Sequence, residues 1–393
     1  MARILTRPSI FSWALFDVAN SSFTTLVITF IYSAYFAQAM IPGEDATQLW
    51  TWGVSASAIA IALLAPLAGA VADRSAMRKR GILITSAICI IGTASLFWME
   101  PGQAVTAIVI VAVANVCFEL GGVFYNSFLP DLAPPEHIGR VSGFGWGLGY
   151  IGAIVAMLIA LYGLVQEGPM RDAFLGFFGL EAVGGENVRA TMLLVAVWFA
   201  VFTIPFALIV KEPPPARTPV KARKAVKLAF GELRGTFNEI RTYRQIVRLL
   251  VARLVYNDGL VVIFAMGSIF AVNVFGFELS DVIMLGIVLN VAAGIGAIAL
   301  GFLDDKIGGR NTILISIVGL TIASLGVLLS ESREVFWASA ILAGLMVGPN
   351  QSASRSLLGR FVPDDKESEF YGFFAFSGRA TAFIGTMLYG TLL

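Results

Sequence analysis

The chain has 393 residues, 57% of them hydrophobic and only 13% charged, and its mean hydropathy is strongly positive. That balance excludes a water-soluble domain: a bilayer span needs about 20 mainly apolar residues, and the sequence offers eleven such runs between short loops. The formal net charge of +1 says nothing about partners, because the charges are segregated into loops rather than scarce.

In chain order, the first predicted span covers residues 11–40. Two arginines precede it, but the apolar run is too long for a signal peptide and has no small-residue cleavage site, so it is read as a retained helix. Further spans follow at 49–72, 81–99, 105–128, 139–165 and 190–210, which completes an amino-terminal bundle over 1–210. Pro213, Pro214 and Pro215 end the sixth span and open a polar linker over 211–245. Within it Val226, Phe230, Leu233, Phe237 and Ile240 recur at helical spacing among lysines and arginines. This predicts a basic amphipathic helix whose main role is to tether two halves. Spans at 246–275, 280–303, 311–330, 335–358 and from 370 onward form a carboxy-terminal bundle over 246–393. Cys89 and Cys117 lie inside spans and read as small core residues, and His137, the only histidine, excludes a His-rich metal site.

The amino terminus and the loops after spans 2, 4, 6, 8 and 10 hold twenty of the 27 Lys and Arg residues. By the positive-inside rule these segments, the central linker included, are cytoplasmic. Residues 69–80, GAVADRSAMRKR, return as 301–310, GFLDDKIGGR: in both, a glycine (Gly69, Gly301) precedes by four an aspartate and a base, Asp73-Arg74 and Asp305-Lys306. Further basic residues follow, among them Arg78 and Arg310. Pro134 precedes Gly143 by nine residues and Gly149 by fifteen, and Pro363 precedes Gly372 and Gly378 by the same intervals. Spans 1 and 7 each carry an early aspartate, Asp17 and Asp258. A parallel duplication of six-helix units accounts for all three echoes.

The repeated loop resembles the cytoplasmic signature of the major facilitator superfamily, G-x-x-x-D-R/K-x-G-R/K-R/K, between the second and third helices of each half. The second copy follows it well; the first has Ala76 and Met77 where the pattern has glycine and a base, so a less tightly turned loop is expected there. A glycine allows close helix approach, and an aspartate at a helix end can meet a neighbouring helix N-terminus or an arginine, latching one conformation. The alternative is a basic loop that only sets topology. The strings SWALFDVANSSF, YNSFLPDLAPPEHIGRVSGFGWGLGYIG, ARLVYNDGL, GPNQSASRSLLGR and FYGFFAFSGRATAFIG resemble the unknown major facilitator family, which is similar to the vacuolar amino-acid effluxers linked to autophagy. The resemblance implies an all-α membrane protein of the major facilitator fold and a secondary transporter, with amino acids as the leading substrate class. The chain ends inside span 11, where a full duplication implies twelve; truncation is expected, or else a surface that a partner chain covers.

Charged side chains in hydrocarbon are costly and call for a partner or a function. Asp17 shares a helix face with Asn20 and reads either as a cavity-facing carboxylate or as a cap or ion pair near the cytoplasmic end. Glu119 has no neutralising neighbour in its own sequence and is the first choice for proton coupling, with an arginine pair as the alternative. Arg379, among small residues, suits a substrate carboxylate, unless it pairs with Glu119 or Asp17. Arg355 follows Gly348, Pro349, Asn350 and Gln351, an expected break in span 10 rich in hydrogen-bonding groups. Arg253, Asn257 and Asp258 form a polar turn in span 7 whose partners are expected on other helices. Trp13, Trp146, Tyr32 and Tyr150 line a cavity or, as the better reading, pack. Five glycines in span 5 serve close packing.

Together these residues read as a transporter that moves a small polar solute by alternating access, coupled to a proton or other ion, in the bacterial inner membrane or an internal membrane derived from it. No nucleotide-binding loop, metal cluster or nucleophile-base pair is present, so neither a cofactor nor an enzymatic step nor a nucleic-acid partner is expected. The rivals are a sensor or assembly partner that keeps the fold, and a lipid-translocating protein.

Overall fold

Apolar runs in a bilayer satisfy their backbone polar groups only within themselves, and so wind into helices. The computed structural model describes residues 6–41, 46–215, 218–239 and 241–379, and every regular element among them is helical. Helix α1 (Arg7–Ser22) opens at Thr6, whose hydroxyl accepts the Ser9 N–H at 3.2 Å, with Pro8 in the first turn where no N–H is needed. It runs through a π-helical segment, Phe23–Phe30, into α2 (Ile31–Ala39). Then come α3 (Thr47–Ser75), α4 (Arg78–Ser95), α5 (Ala104–Asn126), the one-turn α6 (Leu129–Leu132) and α7 (Ile138–Ala160). The short α8 (Pro169–Phe178), in a stretch expected to be loop, and α9 (Glu186–Ile209) precede the linker helix α10 (Ala222–Asn238). The second set is α11 (Arg244–Phe275), α12 (Leu279–Ile307), α13 (Gly309–Leu328), α14 (Arg333–Phe361) and α15 (Glu367–Arg379).

Eight helical segments among the described residues are long and apolar enough to cross a bilayer. They correspond to the first six expected spans and to the eighth and ninth, so the described residues account for eight of the eleven expected. Most of the last span lies outside the described residues, and α14 carries Asn350, Gln351, Ser352, Ser354, Arg355 and Ser356 in its second half.

One expectation is corrected. The break at Gly348–Gln351 does not occur, because α14 passes through Pro349 unbroken. A proline removes one intrahelical bond, and the Leu345 carbonyl that loses its donor lies against the side-chain-free Gly296 of α12. The first signature loop is the longer of the two, in line with its departure from the pattern: Ala76 and Met77 separate α3 from α4, against Gly308 alone between α12 and α13, and Ala76 takes the left-handed conformation, φ 52° and ψ 47°, that ends α3.

Helices α1, α7 and α9 pack together, as do α3, α4 and α5, with α4 also against α9; beyond the linker α12, α13 and α14 pack together. The two sets meet chiefly where α7 lies along α12 and α3 along α15. The linker helix α10 rests on α3, with Ala225, Ala229 and Thr236 buried and Val226, Phe230 and Phe237 exposed. Ile240, the last of its expected apolar positions, lies outside the described residues.

Candidate functional site

Two layers of polar contacts cross between the helix sets. The outer one lies at the end of the bundle where α3 turns into α4. There Asp73 accepts the backbone N–H groups of Ser368 (3.0 Å) and Glu369 (2.8 Å), which open α15. Asp305 on α12 accepts those of Gly139 (2.9 Å) and Arg140 (3.3 Å), which open α7. A helix start presents unbonded N–H groups and a partial positive charge, so a carboxylate there is both cap and counter-charge. The recipients sit five and six residues after Pro134 in one case and after Pro363 in the other. The loop echo and the proline echo therefore meet in one contact, made twice with the halves exchanged.

Arginines fasten each contact. The buried Arg78 reaches Asp131 (3.0 Å), Glu367 (2.8 Å) and Asp73 (3.5 Å) and donates to the Ser127 carbonyl (3.2 Å). In the other latch Arg360 pairs with Asp304 (2.7 Å) and Asp305 (3.7 Å), Arg140 with Asp305 (2.5 Å), and Ser356 donates to Asp304. Arg74 pairs with Glu232 of α10. Lys306 and Arg310 are exposed and make none of these contacts. Glu212, at the head of the linker, accepts the N–H groups of Arg78 (2.9 Å) and Lys79 (2.7 Å) and so caps α4; burial pushes its carboxyl above the usual carboxylate range. The backbones touch: a Cβ on Gly69 would lie 2.1 Å from the Ser368 carbonyl oxygen, and one on Gly143 would lie 2.3 Å from that of Ala297, so neither helix pair closes around a side chain there. Gly301 faces Gly139 and Gly143 in the same seam.

The inner layer is built on Arg355, 2% exposed. Its guanidinium leaves α14 and enters the first helix set, donating to Ser142 Oγ (2.9 Å), the Ser142 carbonyl (2.7 Å), Asn126 Oδ1 (3.2 Å) and Asp17 Oδ2 (3.2 Å). It also lies over the rings of Trp13 (4.9 Å), Tyr125 (5.8 Å) and Trp146 (5.6 Å), an arrangement that suits a weakly hydrated planar cation. Gly145 makes the room, since a Cβ there would sit 2.6 Å from Asp17 Oδ2. Trp13 stacks on Tyr125 with centroids 4.6 Å apart and donates to its carbonyl at 3.1 Å, which fixes the wall behind the pair. The Trp146 indole N–H is buried without a hydrogen-bond partner among the described residues.

A second pair crosses the same interface: Arg379 on α15 donates to Glu119 on α5, with the two side chains 38% and 16% exposed. Beside it Arg253 donates to the Phe374 carbonyl (2.8 Å) and Ser377 Oγ (3.2 Å) and stacks 3.8 Å over the Phe374 ring; Asn257 donates to the Gly378 carbonyl (3.0 Å). The polar turn of α11 thus grips the backbone just before Arg379. Asp258 is half-buried, and Asn20 is half-buried one turn beyond Asp17. Asn350 points elsewhere: it donates to Ser316 of α13 at 3.0 Å, inside the second helix set.

Ser142, Asn126 and Tyr125 around Arg355, and Asp131, Glu367, Asp304, Arg360 and Arg140 in the latches, escaped the sequence reading. The last group had a signal, since Asp131 and Arg360 each stand three residues before the repeated proline, at equivalent places and with opposite charge. Ser142 and Asn126 had none.

Comparison with known proteins agrees with this architecture. The family described as "Vacuole effluxer Atg22 like" matches residues 44–393. The uncharacterized MFS-type transporter YxiO of Bacillus subtilis is 26% identical over 387 residues, covering 96% of this chain and 86% of that protein. Autophagy-related protein 22-1 of Neosartorya fischeri is 26% identical over 277 residues, covering 64% of this chain but only 43% of the fungal protein. Among solved structures, the MFS proton:xylose symporter XylE superposes with a TM-score of 0.71 at 12% identity, covering 98% of this chain and 88% of XylE. A bacterial homologue of the iron transporter ferroportin in its outward-facing state gives 0.70 at 13%, covering 99% and 93%. These relatives are transporters and effluxers rather than enzymes, and the chain belongs to the Atg22-like vacuole effluxer family, a multi-pass membrane transporter of the major facilitator type.

Proposed function

We propose that this transporter moves an amino acid or a similar small zwitterion by alternating access, driven by a proton gradient. The observation that carries the proposal is the inner layer itself: two acid–arginine pairs, Asp17 with the buried Arg355 and the partly exposed Glu119 with Arg379, each joining one helix set to the other. Removing one partner from a buried pair costs about 3–5 kcal/mol, because the other charge is left uncompensated. A zwitterion brings both replacement charges. Its carboxylate takes two N–H groups of Arg379 while its ammonium takes Glu119 or Asp17, so the pair opens without a naked charge. A proton on Glu119 has the same effect on Arg379, freeing the guanidinium for the substrate carboxylate, and its loss restores the pair.

The Lys and Arg distribution supports a cytoplasmic placement of the latched end and of the linker. The latch contacts hold that end together, and alternating access requires them to part before solute is exchanged there. The description of the family favours efflux.

The test is flux of a labelled amino-acid mixture in proteoliposomes, with and without an imposed pH gradient, for the wild type and Glu119→Gln. Flux that follows the gradient, and loses that dependence in the variant, is expected. Absence of flux in well-folded protein would overturn the assignment, and an unchanged apparent affinity in Arg379→Ala would overturn the carboxylate site.

A further inference from the structure

A lateral groove of about 320 Å³ lies outside both polar layers, against α3, α4 and α5. Its walls include Leu64, Ala68 and Val71 of α3, Ile84 of α4 and Phe124 of α5, and Val226 of α10 stands at one end. Ser75 is its one polar side chain, and that hydroxyl is already spent on the Val71 carbonyl at 2.7 Å. From Ser75 to Leu64 the groove follows α3 for about 17 Å at 1.5 Å per residue, close to the depth of one leaflet of a hydrocarbon core ~30 Å thick. Its volume is that of roughly ten methylene groups, taking each as about the ~30 Å³ of a water molecule.

The end at Val226 is the charged one. On α10, Arg223, Lys224 and Lys227 flank Val226 and are exposed, and Arg80 is exposed next to Gly81, another groove residue. No Asp or Glu occurs between Glu212 and Glu232, and Glu232 is held by Arg74. Phe230 and Phe237, 62% and 57% exposed, continue the apolar edge of α10 outward, while its alanines face α3. An amphipathic helix with such faces lies at the boundary between acyl chains and headgroups.

We infer that the groove and α10 together form a binding site for an anionic glycerophospholipid of the adjoining leaflet, with an acyl chain along α3 and its headgroup among Arg80, Arg223 and Lys227. A soluble metabolite does not fit so apolar a trough, and a zwitterionic lipid leaves the basic cluster unanswered. The same helix touches both sides of one latch, through Arg74 and Glu232, through Lys366 Nζ donating to Thr236 Oγ1 at 2.8 Å, and through Phe237 against Phe373. Lipid seated here rests on the strap that joins α3 to α15.

The full chain in detergent, titrated with phosphatidylglycerol or phosphatidylcholine of identical acyl chains and followed by native mass spectrometry, provides the test. Wild type is expected to favour phosphatidylglycerol by about tenfold or more, and Arg223→Gln with Lys227→Gln to lose about fivefold per residue with phosphatidylcholine binding unchanged. Both positions are exposed, so their replacement leaves the packing intact. Ala68→Phe, which fills the groove, is expected to weaken both lipids alike. Equal affinity for the two lipids in the wild type, a preference undiminished in the double variant, or undiminished binding by Ala68→Phe would each overturn the inference.

Discussion

Arg355 shows how much one side chain holds in this protein. It leaves its own helix set, spends its donors on Asp17, Asn126 and Ser142, and packs its plane among three aromatic rings. Arg355→Ala is therefore expected to cost about 3–5 kcal/mol, read as a lower thermal midpoint in detergent. Adding Asp17→Asn should return part of that loss, because it removes the stranded charge; a double-mutant cycle gives the coupling. Arg355→Lys should recover little, since an ammonium lacks the planar fork that serves several acceptors at once. Ala76 points the other way. It holds a left-handed conformation that costs an L-residue about 1–2 kcal/mol, so Ala76→Gly is expected to raise the thermal midpoint by relieving it.

At the scale of elements, the latches depend on helices that approach without side chains between them. A leucine at Gly69 or Gly143 would collide with a backbone carbonyl that cannot move aside without its helix. Either substitution should hold α3 off α15, or α7 off α12. Spin labels at the exposed positions 80 and 310, one on each helix set, are expected to report a longer distance population in either variant. The proline in α14 teaches a related lesson. Gly348, Pro349 and Asn350 look like a break in one dimension, yet the helix continues through all three, and the carbonyl that Pro349 leaves without a donor lies against Gly296 of the neighbouring α12.

For the whole molecule, the two latches close one seam from two sides. Asp73→Asn or Asp305→Asn alone keeps one carbonyl-type acceptor and leaves the other latch intact, so each should shift the label distance only in part. Together they should shift it by more than the sum, since the second latch is what limits opening once the first is weak. Equal, additive effects would mean that the latches act independently. Under the proposed function the inner pairs set what the opened protein admits, since a solute that cannot replace both charges of an acid–arginine pair leaves one stranded.

The sequence by itself determined the membrane class, the position of eight spans, the internal repeat and the signature aspartates, because the bilayer imposes length and polarity locally and a repeat needs only self-comparison. It also singled out Asp17, Glu119, Arg355 and Arg379, since a charge in an apolar run is conspicuous whatever surrounds it. Only the tertiary structure decided who faces whom. That Arg355 takes Asp17 and Arg379 takes Glu119, that Asn350 turns to Ser316, and that Ser142 and Asn126 belong to the site at all depend on the rotation and depth of helices far apart in the chain. Those are set by close packing against neighbouring helices, and no hydropathy or spacing along one helix records them.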